Sequence, residues 1–162
     1  VSPLPSQPPS RAWVCPVPDE EATAALAKRF AVNLEPPCVV YLRGDLGAGK
    51  TLFTRAYVHA KGFKGYVKSP SYGLLETYEL TGQTVLHLDL YRIEDPEELE
   101  FLAIRDLYRR DSVLMVEWPD RGKGFLPPPD IVLEFGEKDE SRFISCYAFS
   151  SKGRTLSALI DA

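Results

Sequence analysis

The chain has 162 residues, 44% hydrophobic and 26% charged, with a formal net charge of −4, a globular balance sufficient for one ordinary core. Its negative charge excludes global attraction to a polyanion such as DNA, RNA or an acidic membrane surface. Cys15, Cys38 and Cys146 are widely spaced and form no CxxC pair, and no apolar run approaches a membrane span, so a cytoplasmic, reducing compartment is expected, with neither a disulfide framework nor a zinc site.

Residues 1–10, VSPLPSQPPS, are Pro-rich and read as a disordered extension; residues 11–162 read as a single domain. AWVCPV fits a short edge strand. Asp19, Glu20 and Glu21 then start a helix through EEATAALAKRFAVNL, with Ala22, Leu26 and Phe30 on its buried face, ending before Pro36-Pro37. CVVYL is continuously apolar, as a strand buried on both faces should be. A glycine loop follows, then TLFTRAYVHAKG at helical spacing with Gly62 as its stop. YVKSPSYGLLETYEL and the alternating TVLHLDLYR predict a hairpin turning at Thr81-Gly82. EDPEELEFLAIRDLYRR predicts one helix with Leu99, Leu102, Ala103 and Leu107 on one face. SVLMVEW is a further buried strand, PDRGKGFLPPPD a loop, and IVLEF with RFISCYAF a C-terminal strand pair; no element is assigned beyond it. The fold class expected is α/β, a P-loop NTPase-like sheet with a central parallel core, an antiparallel hairpin and flanking helices.

Gly44, Asp45, Leu46, Gly47, Ala48, Gly49, Lys50 and Thr51 fit G-x-x-x-x-G-K-[ST] in full. Glycines let successive backbone N–H groups face one phosphate, Lys50 neutralises the β- and γ-phosphates, and the Thr51 hydroxyl is a hard oxygen ligand for Mg²⁺. A strand before and a helix after complete the context. Such a site needs a carboxylate at the end of a buried strand to hold the Mg²⁺ shell or orient water. Glu117 closes a continuous apolar strand and Asp89 an alternating one; each also has a plain reading as a strand-end or ion-paired group. The one asparagine, Asn33, is followed by Leu34, so the N-K-x-D element that reads guanine is absent and ATP is favoured over GTP.

With these segments assembled, the chain resembles the TsaE (YjeE-like) family of small ATPases in bacterial tRNA threonylcarbamoyladenosine synthesis. The matching strings are GDLGAGKT (44–51), VKSPSY (67–72), HLDLYR (87–92), DPEELEFLAIRD (95–106) and EWP (117–119). The resemblance implies an ATP-hydrolysing subunit, slow alone and stimulated by partners. Those partners would be the two larger TsaB-like and TsaD-like proteins of the complex that modifies adenosine 37. It also implies ATP or ADP with Mg²⁺ as cofactors, Lys50, Asp89 and Glu117 as catalytic residues, and Thr51 with Glu117 at the metal. Ser71, where the family usually has threonine, would face the γ-phosphate in a switch-like segment; serine keeps the hydroxyl. Glu20 and Arg142, with Asp19, would lie near the base.

Trp118 fits an active-site surface and core packing equally well. Arg105 and Arg109, at i, i+4, with Arg110, Arg121 and Lys123, suggest a solvated helix face or a small patch for tRNA, whose contact is otherwise indirect. His59 and His87 read as isolated surface or structural residues. Ser69 and Ser71 lack a histidine-carboxylate pair for nucleophilic chemistry. Two further functions use the same loop: a small-molecule kinase, and a nucleotide-gated interaction module with little turnover.

Overall fold

The structure is a computed structural model and describes residues 9–70 and 74–161; most of the Pro-rich extension and the predicted site residue Ser71 lie outside them. Among the described residues, the strands are β1 (Arg11–Pro16), β2 (Cys38–Arg43), β3 (Leu75–Leu80), β4 (Gln83–Asp89), β5 (Ser112–Glu117), β6 (Ile131–Lys138) and β7 (Ser141–Ala148). They form one seven-stranded sheet in the order β1-β7-β6-β2-β5-β4-β3. The central strands β6, β2, β5 and β4 run parallel, while β7, β1 and β3 join antiparallel at the flanks. This is the α/β, P-loop NTPase-like architecture expected, with β3 and β4 as its hairpin.

Side-chain alternation sorts the sheet into two faces. Cys38, Val40, Leu42, Val85, Val113 and Met115 belong to one core cluster, packed with α1 (Glu20–Asn33), α2 (Lys50–Ala60) and α5 (Ser151–Asp161). Val39, Tyr41, Leu86, Leu88, Leu114 and Val116 fill the other, against Leu99, Ile104 and Leu126. Both faces being covered explains the unbroken apolar runs of β2 and β5. It also buries nearly every position of β4, despite the alternating pattern of its sequence.

Three local expectations are corrected. The single helix expected over 94–110 is two short turns, α3 (Glu98–Phe101) and α4 (Ile104–Leu107). Ala103 separates them at φ 52° and is exposed, as is Leu107, so the predicted apolar stripe is broken; Leu99 and Ile104 carry the burial. On α1, Thr23, Leu26, Ala27, Phe30 and Ala31 are buried and Ala22 only partly so. The helix α5 carries no strong apolar run: Gly153, Leu156, Ser157 and Ile160 are its buried positions. Gly153 is required there, since a Cβ would come within 1.9 Å of the Asp130 carbonyl oxygen. The Asp130 carboxylate accepts from Val39 N–H at 2.8 Å and from Ser150 Oγ at 2.7 Å, pinning the start of α5 to β2.

Candidate functional site

The candidate site lies where β2 and β5 end. Residues 44–49 leave β2 and turn into α2, whose N-cap Gly49 has φ 106° and offers no side-chain hydrogen bond. The first N–H groups of α2 are therefore uncapped by any side chain, the arrangement that suits an anion. Gly44, at φ 152°, has no room for a side chain: a Cβ would sit 2.8 Å from the Phe135 carbonyl oxygen on β6.

Lys50 is buried at 4% exposure, and its ammonium folds back to donate to the Gly44 carbonyl and, at 3.4 Å, to that of Asp45. It also lies 3.9 Å from the centre of the Trp118 ring, a cation–π contact. Burial pulls its pKa below the ordinary lysine value, while Glu117, Asp89 and Asp45 pull it back up.

Period-2 alternation along the parallel pair β4–β5 places His87, Asp89 and Glu117 on the sheet face that carries α2. Asp89 and Glu117 are neighbours in register, both buried. The Thr51 hydroxyl donates to Glu117, 2.9 Å from Oε2 and 3.2 Å from Oε1. His87 is fully buried, with Nε2 2.6 Å from Glu117 Oε2. It had read as isolated; its partner lies on a neighbouring strand, 30 positions away, where no local motif would reveal it. Asp89 accepts from Ser69 Oγ at 3.3 Å and from Tyr91 N–H at 3.0 Å.

These groups border a cavity of about 300 Å³ lined by Leu46 to Leu52, Asp89, Glu117 and Trp118, with Val17 and Asp19 from the segment before α1, Glu20 and Thr23 from α1 itself and Arg142 from β7. Of the predicted site residues, Leu46, Gly47, Ala48, Gly49, Lys50, Thr51, Asp89, Glu117, Glu20 and Arg142 thus meet around one space. Gly44 and Asp45 do not line it: Gly44 is covered by Phe135, and Asp45 borders a smaller hollow that Arg142 also reaches. Asp19 is the N-cap of α1, accepting from Ala22 N–H at 2.8 Å. Sequence reasoning missed Arg55, which lines the cavity and donates from Nε to the Val67 carbonyl at 3.3 Å. Its placement one helical turn after Thr51 was the available signal.

Trp118, at φ 57°, lines the cavity and is half-buried against Tyr91, ring centroids 5.1 Å apart. Arg121 does not join a basic helix face: it donates to the Tyr91 carbonyl and lies 5.1 Å and 5.5 Å from the Tyr91 and Trp118 rings. Arg109 falls after α4 has ended at Leu107, so Arg105 and Arg109 share no helix. Among the described residues no group of three or more His, Cys, Asp or Glu forms a metal cage. One hydroxyl and one carboxylate in contact instead suit a hard divalent cation that takes most of its ligands from water and phosphate. No helix is long and apolar enough to cross a membrane among the described residues.

The model of the family described as "Threonylcarbamoyl adenosine biosynthesis protein TsaE" matches residues 17–144. The tRNA threonylcarbamoyladenosine biosynthesis protein TsaE of Haemophilus influenzae is 42% identical over 145 residues, spanning 86% of this chain and 92% of its own. The proteins of the same name from Rickettsia felis and Aquifex aeolicus are 39% and 38% identical, spanning 89% and 76% of this chain and 84% and 86% of theirs. The crystal structure of Bacillus subtilis YdiB shares the fold, with a TM-score of 0.80 at 24% identity, covering 96% of this chain and 97% of its own. The matched span runs from the wall of the cavity beside α1, through the phosphate loop and both strand-end acids, to β7, and on that ground the chain belongs to the TsaE family.

Proposed function

We propose that the chain is the Mg²⁺-dependent, ATP-hydrolysing subunit of the machinery that makes threonylcarbamoyladenosine at adenosine 37 of tRNA, acting in the cytoplasm with TsaB-like and TsaD-like partners that perform the transfer. The observation that carries the ATPase reading is the contact at 2.9 Å between Thr51 of the phosphate loop and Glu117 at the end of β5. It brings a metal-binding hydroxyl and a strand-end carboxylate together beside uncapped N–H groups.

In this reading the N–H groups of residues 47–51 hold the β-phosphate, and Lys50 leaves the Gly44 carbonyl to pair with phosphate oxygens, a stronger charge-assisted bond. Thr51 and Glu117 hold Mg²⁺, which when bound neutralises charge on the β- and γ-phosphates. Asp89, fixed by Ser69 and the Tyr91 N–H, contacts the nucleotide-metal region or orients water. Glu20 and Arg142 border the space left for the base.

Steady-state ATP hydrolysis by the purified chain, alone and with the two partners, tests this. Slow turnover that rises when both partners are added is expected. Turnover unchanged by partners would overturn the partner-driven cycle, and a phosphorylated small-molecule acceptor would establish kinase activity in its place.

A further inference from the structure

We propose that His87 is a positioning residue for Glu117: its imidazole holds one carboxylate oxygen from behind so that the other is presented to the nucleotide's cation. The inference rests on the reading of Glu117 given above and deepens it.

An ionised carboxylate only accepts hydrogen bonds, so the 2.6 Å contact is made by Nε2–H donating to Oε2. Thr51 donates to the same oxygen at 2.9 Å, leaving Oε1 with the longer 3.2 Å approach to that hydroxyl as its sole hydrogen-bond contact among the described residues. The two oxygens of Glu117 are thus made unequal by donors from β4 and α2. The last torsion of a glutamate side chain is intrinsically broad. Two donors converging from separate elements narrow it, and one of them, Thr51, would also bind the cation. His87 alone is committed solely to holding the carboxylate.

The surroundings argue against a purely packing role. His87 is fully buried on the face that carries Val85 and Met115, and its Nδ1 is buried without a hydrogen-bond partner among the described residues. A buried nitrogen left unsatisfied is a cost that an aliphatic side chain of similar volume would avoid. What the imidazole offers that the aliphatic does not is the donor to Glu117. Partners behind a metal ligand act this way, and their removal typically lowers metal affinity or activity by about 10–100-fold.

The test is calorimetric binding of a non-hydrolysable ATP analogue with Mg²⁺ and with excess EDTA, for the native chain, His87→Leu and His87→Gln. The native chain should bind more tightly with Mg²⁺. His87→Leu should keep the EDTA affinity within about twofold while its Mg²⁺-dependent gain falls about tenfold or more. Glutamine places an amide donor near the position of Nε2 and should restore most of the gain. A folded His87→Leu with the full gain, or a folded His87→Gln with none, would overturn the proposal. If His87→Leu fails to fold, His87→Asn takes its place: it stays polar but is too short to reach Oε2, so a lost gain supports the role and a retained gain refutes it. A native chain that shows no Mg²⁺ gain would remove the metal reading of Glu117 and this inference with it, an outcome distinct from a variant that behaves like the native chain.

Discussion

The ammonium of Lys50 lies against two carbonyls of its own loop and the face of Trp118, where a phosphate would offer full negative charge. Hydrogen bonds to charged groups contribute about 1.5–3 kcal/mol, so Lys50→Ala should weaken nucleotide binding by at least about tenfold, to the point of loss in equilibrium dialysis. Binding left intact would refute the phosphate-loop reading. At this scale the loop was legible because G-x-x-x-x-G-K-[ST] is contiguous, and Glu117 because it closes an apolar run. His87 and Arg55 were not, since each acquires its partner by tertiary juxtaposition: His87 across adjacent strands, Arg55 across the turn from α2 to Val67.

At the scale of elements, the segment between β4 and β5 shows where periodicity misleads. Leu99, Leu102 and Ala103 have helical spacing, yet the chain turns left-handed at Ala103 to let Ile104 enter the second core. A non-glycine residue in that conformation costs roughly 1–2 kcal/mol, and glycine gives back about 0.5–1 kcal/mol through unfolded-chain entropy. Ala103→Gly should therefore stabilise the chain by up to about 1.5 kcal/mol in a urea melt; a lower midpoint would show that Ala103 is not strained. Helix α5 escaped notice for the opposite reason. Its buried stripe includes the small residues Gly153 and Ser157, the first dictated by close approach to the Asp130 carbonyl rather than by hydrophobicity.

Across the whole molecule, the parallel centre was legible in CVVYL and SVLMVE, because strands covered on both faces cannot alternate. The order of seven strands was not, since it depends on which crossovers pack and no local pattern encodes that. The two-sided burial governs the thiols as well. Cys38 and Cys146 are buried, and desolvation pushes both from the ordinary 9.0 up to about 12, whereas Cys15 is partly exposed. Between those values the unfolded chain has released protons that the folded chain retains, so the unfolded state binds fewer, and stability should fall as pH rises from about 9 to about 12. At pH 8 an alkylating reagent should label Cys15 first and reach the other two only on denaturation; fast native labelling of all three would contradict the burial.

The chain's two tryptophans sit on different parts of this architecture, one on the edge strand β1 and one directly after the interior strand β5. Trp13, on the edge strand, donates from Nε1 to the Ser157 carbonyl of α5 at 3.1 Å and packs on Phe30. Trp118 lies under the Lys50 ammonium and beside Arg121. If nucleotide draws Lys50 away as proposed, their emission should divide: the indole of Trp13 would monitor whether the last helix is seated on the sheet, and that of Trp118 the departure of the lysine from its ring. A chain with each fluorophore retained singly would separate, in one optical channel apiece, the integrity of the scaffold from the filling of its loop.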